Sequence, residues 1–259
     1  MDAVWQRSVD RIRNQVGEFA SAAEALRVLE AELRSRPHPA AAGSEAENAR
    51  RFQGEPVGTV IMHSVMSVDG FIADENDDVG PLHDWYFGGD TPITASDDPE
   101  FDHSGAGAGF RVSRASAEYV RSQWDEVGVI VMGRTLFDLV NGWEGRPPVG
   151  DHVVVVSHRP KPEGWHPEAS YHFAGNVAAA IDTAQKLAGE RVVSVNAGEV
   201  GGQMLAAGLV DEVAIDVAPV VFGSGKRYFG SIDGRYLLED PHVVIQGERV
   251  LHLSYRVRR

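Results

Sequence analysis

Cysteine is absent from all 259 residues, which excludes disulfides, thiol nucleophiles and thiolate-bound zinc together. Basic residues are scarce: 24 Lys and Arg face 38 Asp and Glu, for a formal charge of −14. A broad nucleic-acid surface needs clustered cations to neutralise phosphates, so no nucleic-acid partner is expected. A local basic pocket for a single phosphate remains compatible with this balance. Long apolar runs are missing as well, and no membrane span is expected. The opening Met1-Asp-Ala-Val-Trp-Gln-Arg-Ser-Val-Asp10 has charges where a signal peptide needs an apolar stretch. A cytoplasmic location is the expectation.

Metal-ligand patterns are also lacking. The 10 histidines are scattered, with no His-Glu-x-x-His and no helical pair at ligand spacing. Asp74, Asn76 and Asp78 begin like a calcium loop, but Val79 and Trp85 stand where glycine and glutamate are required. No metal is expected. Gly223-Ser-Gly-Lys226 lacks the outer glycine of a phosphate loop, and Arg227 follows where Ser or Thr is needed.

What is present is ordinary for a soluble globular protein: 43% hydrophobic and 24% charged residues. Two regions differ in pattern. In residues 1–56, Ile12, Val16, Phe19, Ala23, Leu26, Leu29 and Leu33 recur at three-to-four spacing. This predicts one amphipathic helix over about residues 4–34. Arg36-Pro37-His38-Pro39 stops it, and an aperiodic linker runs on to Pro56. The helix either docks on its own domain or contacts a partner or second copy.

Residues 57–259 alternate strand-like and helix-like segments. Residues 59–66, 128–132, 152–157, 191–195 and 212–218 are short and rich in Val and Ile, as buried strands are. Residues 113–126, 133–140, 176–188 and 199–207 have helical character between them. Two closing β runs, 242–246 and 249–257, complete the pattern. It predicts an α/β fold: a mostly parallel sheet covered on both faces, with a C-terminal antiparallel hairpin. Residues 74–109 contain Pro81, Pro92, Pro99 and several glycines and are read as a substrate-side loop. Asn196-Ala-Gly198-Glu-Val-Gly201 follows a strand and opens a helix, but asparagine replaces the first glycine of a dinucleotide fingerprint. Taken alone, it reads as an ordinary turn.

Several segments taken in order resemble one family. They are Ser64-Val-Met-Ser-Val-Asp-Gly-Phe-Ile-Ala73, Val129-Ile-Val-Met-Gly-Arg-Thr135 and Val153-Val-Val-Val-Ser-His-Arg-Pro160. Leu205-Ala-Ala-Gly-Leu-Val-Asp-Glu212 and Ala218-Pro-Val-Val-Phe-Gly-Ser-Gly225 follow. Together they resemble the stand-alone relatives of the riboflavin-biosynthesis reductase domain, which share the dihydrofolate reductase fold. The likeness runs from about Val57 to Arg258 and implies a three-layer α/β/α domain. The missing Pro-Cys-x-x-Cys excludes the zinc deaminase half that some such reductases carry.

The resemblance implies NADPH as cofactor and a small heterocyclic, pteridine- or pyrimidine-like substrate reduced at a C=N or C=O carbon. Gly133, Arg134 and Thr135 would meet the cofactor phosphates, and Ser157, His158 and Arg159 the adenosine ribose and its 2′-phosphate. For Arg134 and Arg159 the plainer alternative is surface solvation. Backbone groups of Val65 and Met66 would face the nicotinamide carboxamide. The turn of Asn196, Gly198, Glu199, Val200 and Gly201 would support the pyrophosphate. Relatives usually have a double glycine where Asn196-Ala197 stands, and Glu199 would repel a pyrophosphate unless it points away. Asp69, His83 and Asp84 are the candidate proton donors. Asp69 either bonds substrate or holds the turn after the first strand; a buried Asp84 would have a raised pKa. Trp85 and Phe87 either stack on a flat ring or fill core. A homodimer is expected by resemblance. The competing reading is a non-catalytic dinucleotide- or partner-binding protein that keeps the fold.

Overall fold

The structure, a computed structural model, describes residues 58–93 and 109–258. The helix expected over residues 4–34, its linker, and residues 94–108 of the long glycine- and proline-bearing stretch lie outside the described residues.

In chain order the first half comprises β1 (Val60–Ser67), β2 (Phe71–Ala73), a 3-10 helix (Gly80–Tyr86), β3 (Thr91–Ile93), β4 (Phe110–Val112), α1 (Arg114–Glu126), β5 (Val127–Gly133) and α2 (Arg134–Leu139). There follow β6 (His152–Val156), β7 (Tyr171–Ala174), α3 (Val177–Ala188), β8 (Val192–Asn196), α4 (Glu199–Ala206) and β9 (Glu212–Ala218). Then come β10 (Lys226–Arg227), β11 (Val243–Gly247) and β12 (Val250–Arg256). Eight of the strands form one sheet in the order β11-β12-β9-β1-β8-β5-β6-β7. From β9 to β7 every neighbour is parallel, while β12 runs antiparallel to both β9 and β11. The expected mostly parallel sheet with a closing hairpin is what forms.

The Val and Ile runs form its centre because both faces are covered. Val153, Val154 and Val155 of β6 are each fully buried, although successive side chains point to opposite faces. On one face, Val60, Met62, Val129, Val131, Val193 and Val195 pack under α3 and α4. α3 turns Ala180, Ile181, Ala184 and Ala188 inward at helical spacing. Its ends are fixed locally: the Asn176 side chain accepts from the Ala179 amide at 2.9 Å, and Gly189 at φ 60° ends it. Such an asparagine cap is worth about 1 kcal/mol.

The opposite face is divided. One cluster, with Val65, Leu82, Trp85, Ala117 and Val120, lies under α1 and the 3-10 helix. A second, with Ile130, Met132, Phe137, Val153 and Tyr171, lies under α2. The strip of sheet between them carries His63 of β1 and Ser194 and Asn196 of β8, all partly buried. This polar strip reaches the edge at which β1, β5, β6 and β8 all end, the usual ligand side of an open parallel sheet.

Residues 74–93 were expected as loop and are more ordered than that. Pro81 starts the 3-10 helix, Leu82 and Trp85 anchor it in the core, and β3 pairs with β4. Strand β7 was not anticipated. Among the described residues no helix is long and apolar enough to cross a membrane.

Candidate functional site

At the ends of β5 and β6 two arginines meet on one carboxylate. Arg134 Nε lies 2.7 Å from Asp138 Oδ1, and an Arg159 terminal nitrogen lies 2.8 Å from Oδ2. Arg134 also donates to the Pro160 carbonyl at 3.1 Å and packs over the Phe137 ring. Its side chain is only 16% exposed, whereas that of Arg159 is 66% exposed. The hydrogen bond from Arg134, with help from Arg159, holds the Asp138 carboxyl below its ordinary range. Ser157 fixes the second turn: its hydroxyl donates to the Arg159 carbonyl at 2.7 Å and accepts from the Arg159 amide at 2.9 Å. Thr135 and His158 are exposed beside them.

The β8–α4 turn lies alongside. A methyl at Gly133 would come within 3.2 Å of Val200 Cγ2, so the two turns are in near contact. The Ala197 amide donates to Ser64 Oγ at 3.3 Å, tying the turn to β1. Gly198 sits at φ 92°, ψ −152°, a region open only to glycine. Its amide donates to the Tyr228 carbonyl at 2.7 Å. Gly201 permits a close approach, since a Cβ there would be 2.8 Å from the Asn196 carbonyl oxygen. Glu199 is turned aside: its carboxylate accepts from Ser231 Oγ at 2.6 Å. Tyr228, fully buried, sends its hydroxyl to the carbonyls of Met62 at 3.0 Å and Ala214 at 2.8 Å.

Beside this turn β1 has an open edge. The β1–β8 ladder ends at the pair His63 and Asn196, whereas β1 stays paired with β9 through Ser67. Thr59 bonds toward β8 and Val60 toward β9. By strand alternation Val65 directs its backbone groups to the open side and Met66 toward β9. Asn196 Oδ1 is buried there without a hydrogen-bond partner among the described residues.

A polar chain crosses the floor of the strip. His63 Nε2 lies 3.0 Å from Asp216 Oδ2, His252 Nδ1 lies 2.6 Å from Asp216 Oδ1, and His252 Nε2 lies 3.0 Å from Ser116 Oγ. Asp216 and His252 are buried side chains at 2% and 0% exposure, while His63 is 30% exposed. Burial alone would raise the Asp216 carboxyl, but the charge of His63 and hydrogen bonds from both imidazoles overcome it and hold it well below the usual range. Burial pulls the His63 imidazole down, and the charge and hydrogen bond of Asp216 outweigh that and raise it.

The three candidate proton donors are placed apart. Asp69 accepts from Ser67 Oγ at 2.6 Å and from the amides of Phe222 at 3.2 Å and Gly223 at 2.7 Å, so its carboxylate braces the turn after β1. Those bonds, the Ser67 hydroxyl first, lower its pKa. Asp84 is exposed, not the buried carboxylate its position suggested. His83 is partly buried and close enough to Asp216 and His63 to feel both charges; burial lowers its pKa. Trp85 is core, stacked on Tyr86 with ring centres 3.9 Å apart, and Phe87 is 47% exposed. Sequence reasoning passed over Asp138, His63, Asp216 and His252. The available signal was Asp216, a carboxylate inside the apolar run of β9.

No family model matches the chain, and no curated protein matches it by sequence. Solved structures match it in shape. A Shewanella sp. PV-4 protein provisionally assigned to riboflavin biosynthesis superposes with TM-score 0.53 at 20% identity, over 78% of this chain and 99% of its own. Acinetobacter baumannii RibD gives TM-score 0.48 at 16% identity, over 78% of this chain and 58% of its own. A Thermotoga maritima diaminohydroxyphosphoribosylaminopyrimidine deaminase/5-amino-6-(5-phosphoribosylamino)uracil reductase gives 0.47 at 14%, over 78% and 57%. The chain therefore spans little more than half the length of these last two proteins. The chain has a dihydrofolate-reductase-like α/β fold, shared with the Shewanella protein.

Proposed function

We propose that this chain is an NADPH-dependent reductase acting on a C=N or C=O carbon of a small heterocycle. The observation that carries the reading is the meeting of Arg134 and Arg159 on Asp138, at the strand edge that also holds the β8–α4 turn. Two guanidiniums against one carboxylate leave a net positive charge on an otherwise acidic protein, which suits a phosphate. The rest of the edge fits a dinucleotide. Asn196 Oδ1 is a buried acceptor lacking a donor among the described residues, and Val65 offers open backbone groups to a carboxamide. Glu199, in the first turn of α4, has its carboxylate engaged by the Ser231 hydroxyl.

Bound NADPH would supply the hydride. The chain's own contribution is placement and exclusion of water. Arg159 and Ser157 would hold the 2′-phosphate end and Arg134 the neighbouring phosphates, with the amides of α4 beneath the pyrophosphate. Leu82, Trp85 and Tyr86 wall the strip that holds His63. Titrating the full chain with NADPH while following nicotinamide fluorescence tests the reading. Micromolar saturation is expected; no binding at millimolar cofactor removes it. Tight binding without NADPH oxidation by any heterocyclic C=N or C=O compound would favour the non-catalytic dinucleotide-binding protein instead.

A further inference from the structure

We infer that His63 is the proton donor of this site, oriented by the buried carboxylate of Asp216, an inference that rests on the reductase reading above. Hydride addition to a C=N or C=O carbon pushes the π pair onto nitrogen or oxygen, and that atom must gain a proton for the product to be neutral. Among the described residues, the strip between the two clusters holds an acid-capable ring that is partly exposed and fixed to a buried partner. That group is His63.

The hydrogen bonds assign its nitrogens. Nε2 faces Asp216 Oδ2 at 3.0 Å, so Nδ1 is the nitrogen left for a substrate. Nδ1 makes no hydrogen bond among the described residues, and the ring is 30% exposed. Behind it the chain is closed. Asp216 Oδ1 is occupied by His252 Nδ1, and His252 Nε2 by Ser116 Oγ, which in turn lies 3.0 Å from Ser113 Oγ. With Nδ1–H given to Asp216, His252 can accept from the Ser116 hydroxyl through Nε2. A cation beside a buried carboxylate stabilises it, and of the two imidazoles on Asp216 only His63 has solvent access from which to take up a proton.

The groups around His63 permit this role. From β9 it faces Asp216; from the 3-10 helix, His83 and Asp84 act on the same region; Asn196 of β8 is its neutral neighbour in register. Tyr86 and Tyr119, near enough to Asp216 to feel its charge, are pushed up by burial and stay un-ionised. Burial also lowers the His83 imidazole.

The step balances. The substrate carbon gains a hydride from the reduced nicotinamide, which is oxidised by two electrons. The C=N or C=O π pair moves to the heteroatom, and that atom takes the Nδ1 proton. His63 is left neutral with Nε2–H still on Asp216, and solvent restores its proton. A cationic donor selects the substrate class: the reacting atom is a neutral imine nitrogen or carbonyl oxygen, and a protonated amidine is repelled.

The test reads the ring directly. In the 15N-labelled full chain, long-range proton–nitrogen spectra follow both His63 nitrogens against pH, alone and with saturating NADPH. We expect His63 doubly protonated at pH 7, with Nδ1–H exchanging with solvent and Nε2–H protected. D216N should lower the transition by at least one pH unit. H63Q, which keeps an N–H for Asp216, should bind NADPH within about twofold of the wild type, a difference of about 0.4 kcal/mol. A singly protonated ring at pH 6, a solvent-shielded Nδ1, or loss of NADPH binding in H63Q each overturns the assignment. Failure of the wild type to bind NADPH instead removes the reductase reading and leaves the ring measurement to stand by itself.

Discussion

Arg134 and Arg159 grip opposite oxygens of the Asp138 carboxylate, at 2.7 Å and 2.8 Å, and they do so unequally. Arg134 is wedged against Phe137 and the Pro160 carbonyl, while Arg159 projects from an exposed turn. Arg134 is therefore the more constrained of the two and Arg159 the more accessible.

Replacing Arg159 by Ala should weaken NADPH binding by roughly tenfold or more, since charge-assisted hydrogen bonds are worth about 1.5–3 kcal/mol. NADH, without the 2′-phosphate, should lose much less. Parallel fluorescence titrations of the two cofactors measure the difference, and an equal loss for both would remove Arg159 from the 2′-phosphate.

Asp138→Asn should change the salt response more than the affinity. It removes the one negative charge in the trio, so NADPH binding should depend more steeply on ionic strength. Titrations across a sodium chloride series give the slope. An unchanged slope would mean that the trio does not see the phosphate.

Gly202→Ala should destabilise the fold by about 1–3 kcal/mol, the usual cost of overpacking. A methyl there would fall within contact of the Phe229 carbonyl oxygen and 2.8 Å from Ile232 Cγ2. Gly175→Ala is the control, because nothing lies within 4 Å of its added Cβ. Urea denaturation of the two variants should separate them clearly, with the Gly175 variant close to the wild type.

The His63–Asp216 pair predicts a two-sided pH dependence of stability. His63 has a raised folded pKa, so its contribution is complete below its unfolded value of about 6.5 and is lost as pH rises through the folded value. Asp216 is lowered, so its contribution is present above about 3.9 and is lost as pH falls through its own folded value. Urea midpoints should be highest in the mildly acidic range and decline on the alkaline side. In D216N the alkaline decline attributable to His63 should disappear; its persistence would detach the two residues.

The parallel strands were legible because each is a local run of Val and Ile with burial on both faces; residues 212–218 coincide with β9. β7 was not, since Tyr171-His-Phe-Ala174 sits at the sheet edge and lacks both the Val-rich run and a long alternation. The 3-10 helix was masked by prolines that usually mark loop. At the site, the glycine and arginine turns could be read because a strand followed by Gly-Arg-Thr is a local pattern. Asp138 could not be paired in advance, because its second partner is 21 residues away, beyond β6. The His63–Asp216 bond spans 153 residues and exists only because β1 lies beside β9. Asp69 shows the converse: its place after β1 was read correctly, but nothing local says that Phe222 and Gly223 return to occupy its carboxylate.

Tyr228 touches two levels of the molecule at once. Its carbonyl receives the Gly198 amide, while its hydroxyl rivets Met62 of β1 to Ala214 of β9. The crossover that would cradle a dinucleotide thus has no softness of its own: it cannot loosen without dragging an aromatic ring out from beneath the middle of the sheet. Whatever ligand settles against that turn meets backbone pinned through Tyr228 to the core of the sheet.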